Sequence, residues 1–148
     1  MESKITAIAV YTPANRITNE YFEQFIETNN EWIISRTGIK ERRFADKDEF
    51  TIDLCGKAAQ NLLTENAGSS FDDVDFILVA TTSADQVMPS MASQIQNRLN
   101  IQNCGCLDIM AACAGFVYGL ILAKGMIASG THKKILVFGA EALSKFTD

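Results

Sequence analysis

Three short apolar runs of strand length, separated by stretches of helical character, constrain the fold of this chain more than any other feature. The runs are residues 76–80, 104–109 and 134–139, and the helical stretches between them are residues 89–99 and 113–129. Continuous apolar runs this short are typical of strands that are buried on both faces. Strands that alternate with helices in this way predict a layered α/β fold, in which helices cover a largely parallel sheet.

The first part of the chain predicts one further strand and three helical segments. Residues 4–11 have strand length and end at a Thr-Pro turn signal, so they predict a first strand. Apolar residues at helical spacing follow Asn19, which suits an N-cap, and two more helical segments are expected at residues 31–35 and 51–66. The predicted order is β-α-α-α-β-α-β-α-β. Because the last helix, residues 113–129, is apolar almost all round, it is expected to be buried.

Composition and length exclude several classes of protein. The chain has 148 residues, of which 47% are hydrophobic and 21% charged, and this balance excludes a disordered or low-complexity protein. A formal net charge of −5 without a large basic cluster argues against nucleic-acid binding. No segment approaches the roughly 20 apolar residues that a membrane span requires. Without a recognisable export signal, we expect a single cytoplasmic domain whose four cysteines are thiols.

Residues 107–116, Leu-Asp-Ile-Met-Ala-Ala-Cys-Ala-Gly-Phe, place Cys113 between a predicted strand and the start of a long helix. A helix N-terminus carries a partial positive charge and unpaired N–H groups, and both favour the thiolate form of a cysteine. A thiolate attacks thioesters and can hold an acyl group, while N–H groups in the turn can face a developing oxyanion. A lone cysteine in an apolar helix is more often a small core residue. The residues alone therefore leave both interpretations open.

Four segments together resemble one family. Residues 108–116 resemble the nucleophile segment of β-ketoacyl-acyl-carrier-protein synthase III, a member of the thiolase-like superfamily. Residues 31–39, Glu-Trp-Ile-Ile-Ser-Arg-Thr-Gly-Ile, with Arg42 and Arg43 after them, resemble that family's first signature. Residues 80–84 followed by Pro89-Ser90 resemble a second, and residues 139–141 a weaker third. The similarity covers all 148 residues but only about the first half of a family chain.

The resemblance implies both a fold and a function. The fold is α/β and thiolase-like, with residues 1–148 as the N-terminal half of a duplicated α-β-α-β-α architecture, truncated before its last strand and lacking the C-terminal domain. The function is that of an acyltransferase that initiates type II fatty-acid synthesis by decarboxylative condensation of an acyl-CoA primer with malonyl-acyl-carrier protein. No metal or cofactor is expected beyond the coenzyme A thioester that serves as substrate. The expected partners are acyl-CoA, malonyl-acyl-carrier protein and a second copy in a homodimer, joined through the strand at residues 104–109.

The resemblance also assigns roles to five residues. Cys113 is the catalytic nucleophile that accepts the acyl group. Trp32 stacks on the adenine of coenzyme A, Thr28 forms a hydrogen bond near the same ring, and Arg36 contacts the nucleotide. Met88 matches the position from which one subunit closes the acyl pocket of the other, and its flexible side chain leaves the primer length open. Without the resemblance, a single tryptophan more often fills core, Arg36 would be a solvated charge and Met88 an ordinary loop residue.

The chain also departs from the family pattern. The family's catalytic histidine and asparagine belong to its second half, and the single histidine here, His132, matches no catalytic position and is expected at the surface. The chain by itself is therefore expected to be inactive. Two alternatives stay open: a non-catalytic fragment that retains only self-association or coenzyme A affinity, and a related acyl-CoA condensing or transferring enzyme.

Overall fold

The computed structural model describes residues 2–146, and within them it contains five strands and five α-helices. In chain order these are β1 (Asn15–Thr18), α1 (Asn19–Phe22), α2 (Asn30–Thr37), β2 (Glu41–Phe44), α3 (Thr51–Glu65), β3 (Phe76–Ala80), α4 (Met91–Arg98), β4 (Gly105–Ile109), α5 (Gly115–Ala128) and β5 (Ile135–Gly139). Two short 3₁₀ turns, Ala112–Ala114 and Leu143–Lys145, follow β4 and β5.

The three predicted apolar strands form one parallel sheet in the order β4-β3-β5, which confirms the layered α/β prediction. β3 lies at the centre and is hydrogen-bonded along its whole length to β4 and β5. Its Ile77, Leu78 and Val79 side chains have no exposed surface. Because side chains alternate along a strand, β3 supplies apolar groups to both faces of the sheet, as its uninterrupted apolar sequence requires.

The main hydrophobic core lies on the face of the sheet that α4 and α3 cover. Ile77 and Val79 of β3 pack there with Met91 and Ile95 of α4 and with Cys55 of α3. α5 packs against the opposite face, on β3 and β5. The structure therefore has helix, sheet and helix layers, and within the described residues no helix is long and apolar enough to cross a membrane.

The predicted burial of the helix at residues 113–129 is wrong for much of its surface. In α5 only the small residues Gly115, Gly119 and Ala123 are buried, and they recur every four residues along the face that meets the sheet. A Cβ atom at Gly119 would lie 3.0 Å from Val137 Cγ1, so the helix approaches the sheet closely on a narrow stripe. The large apolar side chains project away from that stripe and are exposed: Phe116, Val117, Tyr118, Ile121 and Leu122.

The predicted first strand at residues 4–11 is not formed, since residues 2–14 contain no strand. A strand needs backbone partners, but the carbonyl groups of Ile8 and Val10 accept hydrogen bonds from the side-chain amides of Asn66 and Asn61. The strands that precede α3 are instead β1 and β2, which pair antiparallel in the register Asn15↔Phe44 to Thr18↔Glu41. Their short, polar sequences, NRIT and ERRF, gave no alternation from which to predict them.

The prediction that Asn19 caps the first helix is also wrong. Thr18 occupies the N-cap position of α1, and α1 itself is only four residues long. The Asn19 side chain is buried and forms hydrogen bonds to residues of other segments. The following segment, α2, confirms the second predicted helix and ends at Gly38, whose φ of +71° is a left-handed conformation that glycine adopts without strain.

Candidate active site

The carboxyl ends of the three parallel strands lie at one edge of the sheet, and Cys113 follows the end of β4 at that edge. Two residues, Met110 and Ala111, separate β4 from the 3₁₀ turn that contains Cys113, and α5 begins at Gly115. The side chain of Cys113 is exposed. The structure thus places this cysteine in a strand–turn–helix connection with its thiol facing solvent, an arrangement that suits a nucleophile and not a core residue.

The backbone of this turn is strained at the residue before the cysteine. Ala112 has φ +44°, a left-handed value that costs an L-residue with a Cβ atom about 1 kcal/mol. At Gly115, two residues beyond Cys113, a Cβ atom would lie 3.0 Å from the Cβ of Ala80. The close packing of α5 on the end of β3 and the left-handed residue Ala112 together fix the sharp reversal that exposes Cys113.

Asp108 connects the strand of the nucleophile to helix α4. Its two carboxylate oxygens accept hydrogen bonds from Met91 N (2.7 Å) and Ala92 N (2.8 Å), the first two residues of α4. A carboxylate is favourable at this position because it satisfies unpaired N–H groups and lies at the positive end of the helix dipole. Sequence reasoning missed this role, although an acidic residue inside an apolar strand was a visible signal.

The second and third family-like segments meet at the ends of β3 and β5. The Glu141 carboxylate accepts hydrogen bonds from Thr82 N (2.8 Å) and from Ser83 Oγ (2.7 Å). Ser83 Oγ in turn accepts one from Ala142 N (2.8 Å). These bonds hold the loop after β3 against the loop after β5, so the two segments behave as one structural unit beside the turn of Cys113.

Helix α2 presents Trp32 and Arg36 to solvent. The two residues are four positions apart and lie on the same side of the helix, and 55% of Trp32 is exposed. Asn29 caps the helix by accepting a hydrogen bond from Trp32 N at 2.8 Å. The alternative interpretation of Trp32 as a core residue is wrong, because the buried residue of α2 is Ile33. An exposed indole on a capped helix is available to stack on a flat ring.

Thr28 lies in the loop before α2. Its hydroxyl oxygen is buried, and it has no hydrogen-bond partner among the described residues. A buried hydroxyl without a partner is uncommon, since leaving one unpaired costs about 1–3 kcal/mol. A partner supplied by a bound molecule, with a small movement of the loop, would satisfy it.

Met88 lies in the loop between β3 and α4, and 82% of the residue is exposed. The peptide bond between Met88 and Pro89 is cis, and Ser90 caps α4 by accepting a hydrogen bond from Ser93 N. Pro89 therefore lies before the helix. The sequence predicted a helical stretch from residue 89, but α4 begins at Met91. The exposed thioether is free to contact a second molecule.

The candidate residues form two sets. Thr28, Trp32 and Arg36 belong to α2 and the loop before it, whereas Cys113 and Met88 belong to segments that Asp108 connects. Within residues 2–146, no hydrogen bond, ion pair or ring contact joins the two sets. His132 belongs to neither set: its ring is partly buried and packs edge-on against Phe76, with 4.8 Å between ring centroids.

The four cysteines are free thiols, as expected, and they differ in their surroundings. Burial raises the pKa of Cys55 to about 12. Burial and the neighbouring Cys106 raise the pKa of Cys104 to about 11. In the described part of the chain, no group of three or more His, Cys, Asp or Glu side chains is placed to hold a metal ion.

Comparisons with known proteins point to one family. The sequence model for 3-oxoacyl-[acyl-carrier-protein] synthase III matches residues 107–148. Beta-ketoacyl-[acyl-carrier-protein] synthase III 2 of Halalkalibacterium halodurans is 54% identical over 147 residues, which are 99% of this chain and 44% of that protein. The protein of the same name from Bacillus subtilis is 51% identical over 147 residues, 99% of this chain and 45% of that protein.

Comparison with solved structures also finds similarity to synthase III proteins. The crystal structure of the synthase III from Thermus thermophilus has a TM-score of 0.93 and 41% identity, covering 99% of this chain and 45% of that one. The corresponding structure from Aquifex aeolicus has a TM-score of 0.91 and 41% identity, covering 98% of this chain and 46% of that one. The predicted thiolase-like α/β fold is therefore confirmed.

The chain spans a little under half the length of the relatives that it matches, while nearly all of its own residues take part in the match. The similarity includes the segments from which the resemblance was inferred, and the sequence-based assignment is confirmed. Along nearly its whole length, the chain is similar to β-ketoacyl-[acyl-carrier-protein] synthase III proteins.

Proposed function

We propose that this chain supplies the N-terminal half of a β-ketoacyl-[acyl-carrier-protein] synthase III, in which Cys113 accepts the acyl group of an acyl-CoA primer. The observation that carries the proposal is the exposed thiol of Cys113 in a strained turn between β4 and α5. The similarity supports it, because proteins that share about half of the residues of this chain carry the name β-ketoacyl-[acyl-carrier-protein] synthase III.

The first step is a thioester exchange. The Cys113 sulfur attacks the carbonyl carbon of acyl-CoA, the bond from that carbon to the coenzyme A sulfur breaks, and coenzyme A leaves as a thiol with the proton from Cys113. The N-terminal end of α5 carries a partial positive charge that would favour the oxyanion forming at the carbonyl oxygen. No metal or redox cofactor takes part in this exchange.

Helix α2 would bind the nucleotide part of coenzyme A. The exposed indole of Trp32 suits stacking on adenine, and the guanidinium of Arg36 on the same side suits a phosphate or the base. The unpartnered hydroxyl of Thr28 in the preceding loop offers a hydrogen bond to the same ligand. Together they would hold the thioester end of the substrate in place for attack by Cys113.

The second step would be the condensation. Malonyl-acyl-carrier protein loses carbon dioxide, and the resulting carbanion attacks the acyl carbon on Cys113. A carbon–carbon bond forms, the bond from that carbon to the Cys113 sulfur breaks, and Cys113 leaves as a thiolate that takes up a proton from water. The histidine and asparagine that assist this step in the family would come from the C-terminal half of the protein. In the proposed homodimer, the exposed Met88 would close the acyl pocket of the partner subunit, and its flexible side chain would accept straight or branched primers.

The test is acylation in the full-length protein that contains this chain. Incubation with acetyl-CoA should add one acetyl group to the intact mass, and peptide mapping should place it on Cys113. Cys113→Ala should abolish the adduct. Cys106→Ser is the matched control, because Cys106 is a partly buried thiol of the adjacent strand, and its loss should leave acetylation unchanged.

An intact mass that does not change with acetyl-CoA or with longer primers, in protein that is folded, would contradict the proposed function. An adduct on Cys113 that does not go on to condense with malonyl-acyl-carrier protein would favour a related acyl-transferring enzyme. If only the 148-residue chain is tested and stays unmodified while the full-length protein is acetylated, the chain is a catalytically incomplete part of the synthase.

A further inference from the structure

Asn19 is a buried side chain whose hydrogen-bonding groups are all used. It has no exposed surface. Its amide nitrogen donates to Asn30 Oδ1 at 2.9 Å and to the Ile39 carbonyl oxygen at 2.8 Å. Its amide oxygen accepts a hydrogen bond from Arg42 Nη1 of β2. Since an asparagine NH₂ group has two hydrogens, both donors are occupied, and each goes to a different segment.

The two acceptors lie at opposite ends of helix α2. Asn30 is the first residue of the helix, and Ile39 directly follows Gly38, the residue that ends it. One buried amide therefore connects the start and the end of α2, and through Arg42 it connects both to β2. The other polar bonds at these ends are local or exposed. Asn29 caps Trp32 N, Gly38 N donates to Ile34 O, and the exposed Glu23 accepts a hydrogen bond from Asn30 N at 2.9 Å.

Apolar packing contributes little to the orientation of α2. Only Ile33 of this eight-residue helix is buried, whereas Trp32 and Arg36 are exposed. A helix with one buried side chain can rotate or shift at low cost unless polar contacts at its ends prevent it. Asn19 itself is fully buried, so its three partly buried hydrogen bonds compete less with water than exposed ones and are the contacts that can hold α2.

We propose that Asn19 is a positioning residue for coenzyme A: by holding both ends of α2, it sets the orientation in which Trp32 and Arg36 meet the nucleotide. This inference rests on the proposed function, since it requires that α2 bind the nucleotide part of the substrate. Asn19 itself does not touch the substrate. Its effect is confined to substrates that carry the nucleotide.

The experiment uses the full-length enzyme with Asn19→Asp. A carboxylate has nearly the volume of the amide and can still interact with Arg42, but it cannot donate to Asn30 Oδ1 or to the Ile39 carbonyl. We expect KM for acyl-CoA to rise about tenfold while kcat changes less than about twofold, since misplaced binding groups weaken ground-state binding. With acyl-pantetheine, which lacks the nucleotide, the variant should acylate Cys113 at the wild-type rate.

Asn61→Asp is the matched control. The Asn61 side chain also donates to a backbone carbonyl, that of Val10 at 2.8 Å, but from α3. Asn61→Asp should leave KM for acyl-CoA unchanged.

Asn30→Ala is a second variant in case Asn19→Asp does not fold. It removes the same hydrogen bond at the start of α2 by changing the other partner, Asn30, which is only partly buried. It should raise KM for acyl-CoA in the same direction.

The outcomes separate this inference from the proposed function. If Trp32→Ala raises KM for acyl-CoA but neither Asn19→Asp nor Asn30→Ala does, the role of Asn19 is overturned and the nucleotide site stands. If Asn19→Asp slows acylation by acyl-pantetheine as much as by acyl-CoA, its effect is general to the fold and the inference is overturned. If Trp32→Ala also leaves KM for acyl-CoA unchanged, the assignment of α2 to the nucleotide fails, and the role of Asn19 fails with it.

Discussion

Cys113 differs from Cys55 in exposure, and the difference has a chemical consequence. Only 1% of Cys55 is exposed, and it packs in the core between α3 and the sheet, whereas Cys113 faces solvent. Burial raises the pKa of the Cys55 thiol to about 12, and burial with a neighbouring thiol raises that of Cys104 to about 11. Because the thiolate is the reactive form, both groups are protonated and unreactive near neutral pH.

Alkylation at pH 8 should therefore be selective. We expect iodoacetamide to modify Cys113 at least about tenfold faster than Cys55 or Cys104 in the folded full-length protein, because pH 8 lies well below both raised pKa values. A time course with peptide mapping gives the three rates. Unfolding in denaturant should make the rates similar, and equal rates in the folded protein would contradict the described burial.

At the residue scale, the position of Cys113 between a predicted strand and a predicted helix made it a candidate, whereas Trp32 and Arg36 became candidates only through the resemblance. The structure exposes all three, and their roles stay predictions. Asp108 and Asn19 were not given their roles, because their hydrogen-bond partners lie 16–17 and 11–23 positions away in the chain. A side chain that joins distant segments leaves no periodic signal in the sequence.

Helix α5 shows how an element can be apolar on all sides and still bury only one narrow stripe. Gly119 faces the sheet, and a Cβ atom there would lie 3.0 Å from Val137 Cγ1. At Gly125, in the same helix, a Cβ atom would have no neighbour within 4 Å. Close packing of α5 on the sheet thus requires a glycine at position 119 but not at position 125.

These two glycines form a matched pair for a stability measurement. Gly125→Ala should raise the free energy of unfolding by up to about 1 kcal/mol, because alanine is the better helix former. Gly119→Ala gains the same propensity but forces α5 away from β5, so it should be about 1–3 kcal/mol less stable than Gly125→Ala. Urea unfolding of both variants in the full-length protein gives the difference. Equal stability would mean that α5 does not approach the sheet this closely.

Elements with a strong apolar pattern were predictable, and those held by polar contacts were not. β3, β4 and β5 and helices α3 and α4 were expected within one to a few residues of their positions. The strand expected at residues 4–11 did not form, because a pattern shows which residues can pair but not whether a partner strand is adjacent. β1 and β2 escaped prediction because their four-residue polar sequences resemble loops.

At the scale of the molecule, the described surface contains several exposed apolar groups besides the face of α5. Ile5, Ile8 and Val10 in the first segment are each at least 70% exposed, and Met88 and Met110 are exposed to a similar degree. Contiguous exposed apolar surface usually marks a contact with another chain or domain.

The 148-residue chain produced alone should therefore self-associate. We expect light scattering after size exclusion to give a mass of at least twice 16.3 kDa, or precipitation at high concentration. Ile121→Lys, on the exposed side of α5, should shift the population toward monomer without loss of helical signal, while Lys124→Ala on the same helix should not. A soluble monomer at high concentration would show that this surface does not drive association.

The left-handed conformation of Ala112 also limits how the stability of this protein could be raised. Glycine adopts φ +44° without strain, so a search for more stable variants would favour Ala112→Gly, and valine or isoleucine would be rejected. The same exchange would loosen the turn that holds the Cys113 thiol outward. Under the proposed function, selection for thermal resistance and selection for reactivity would therefore make opposite demands on this residue.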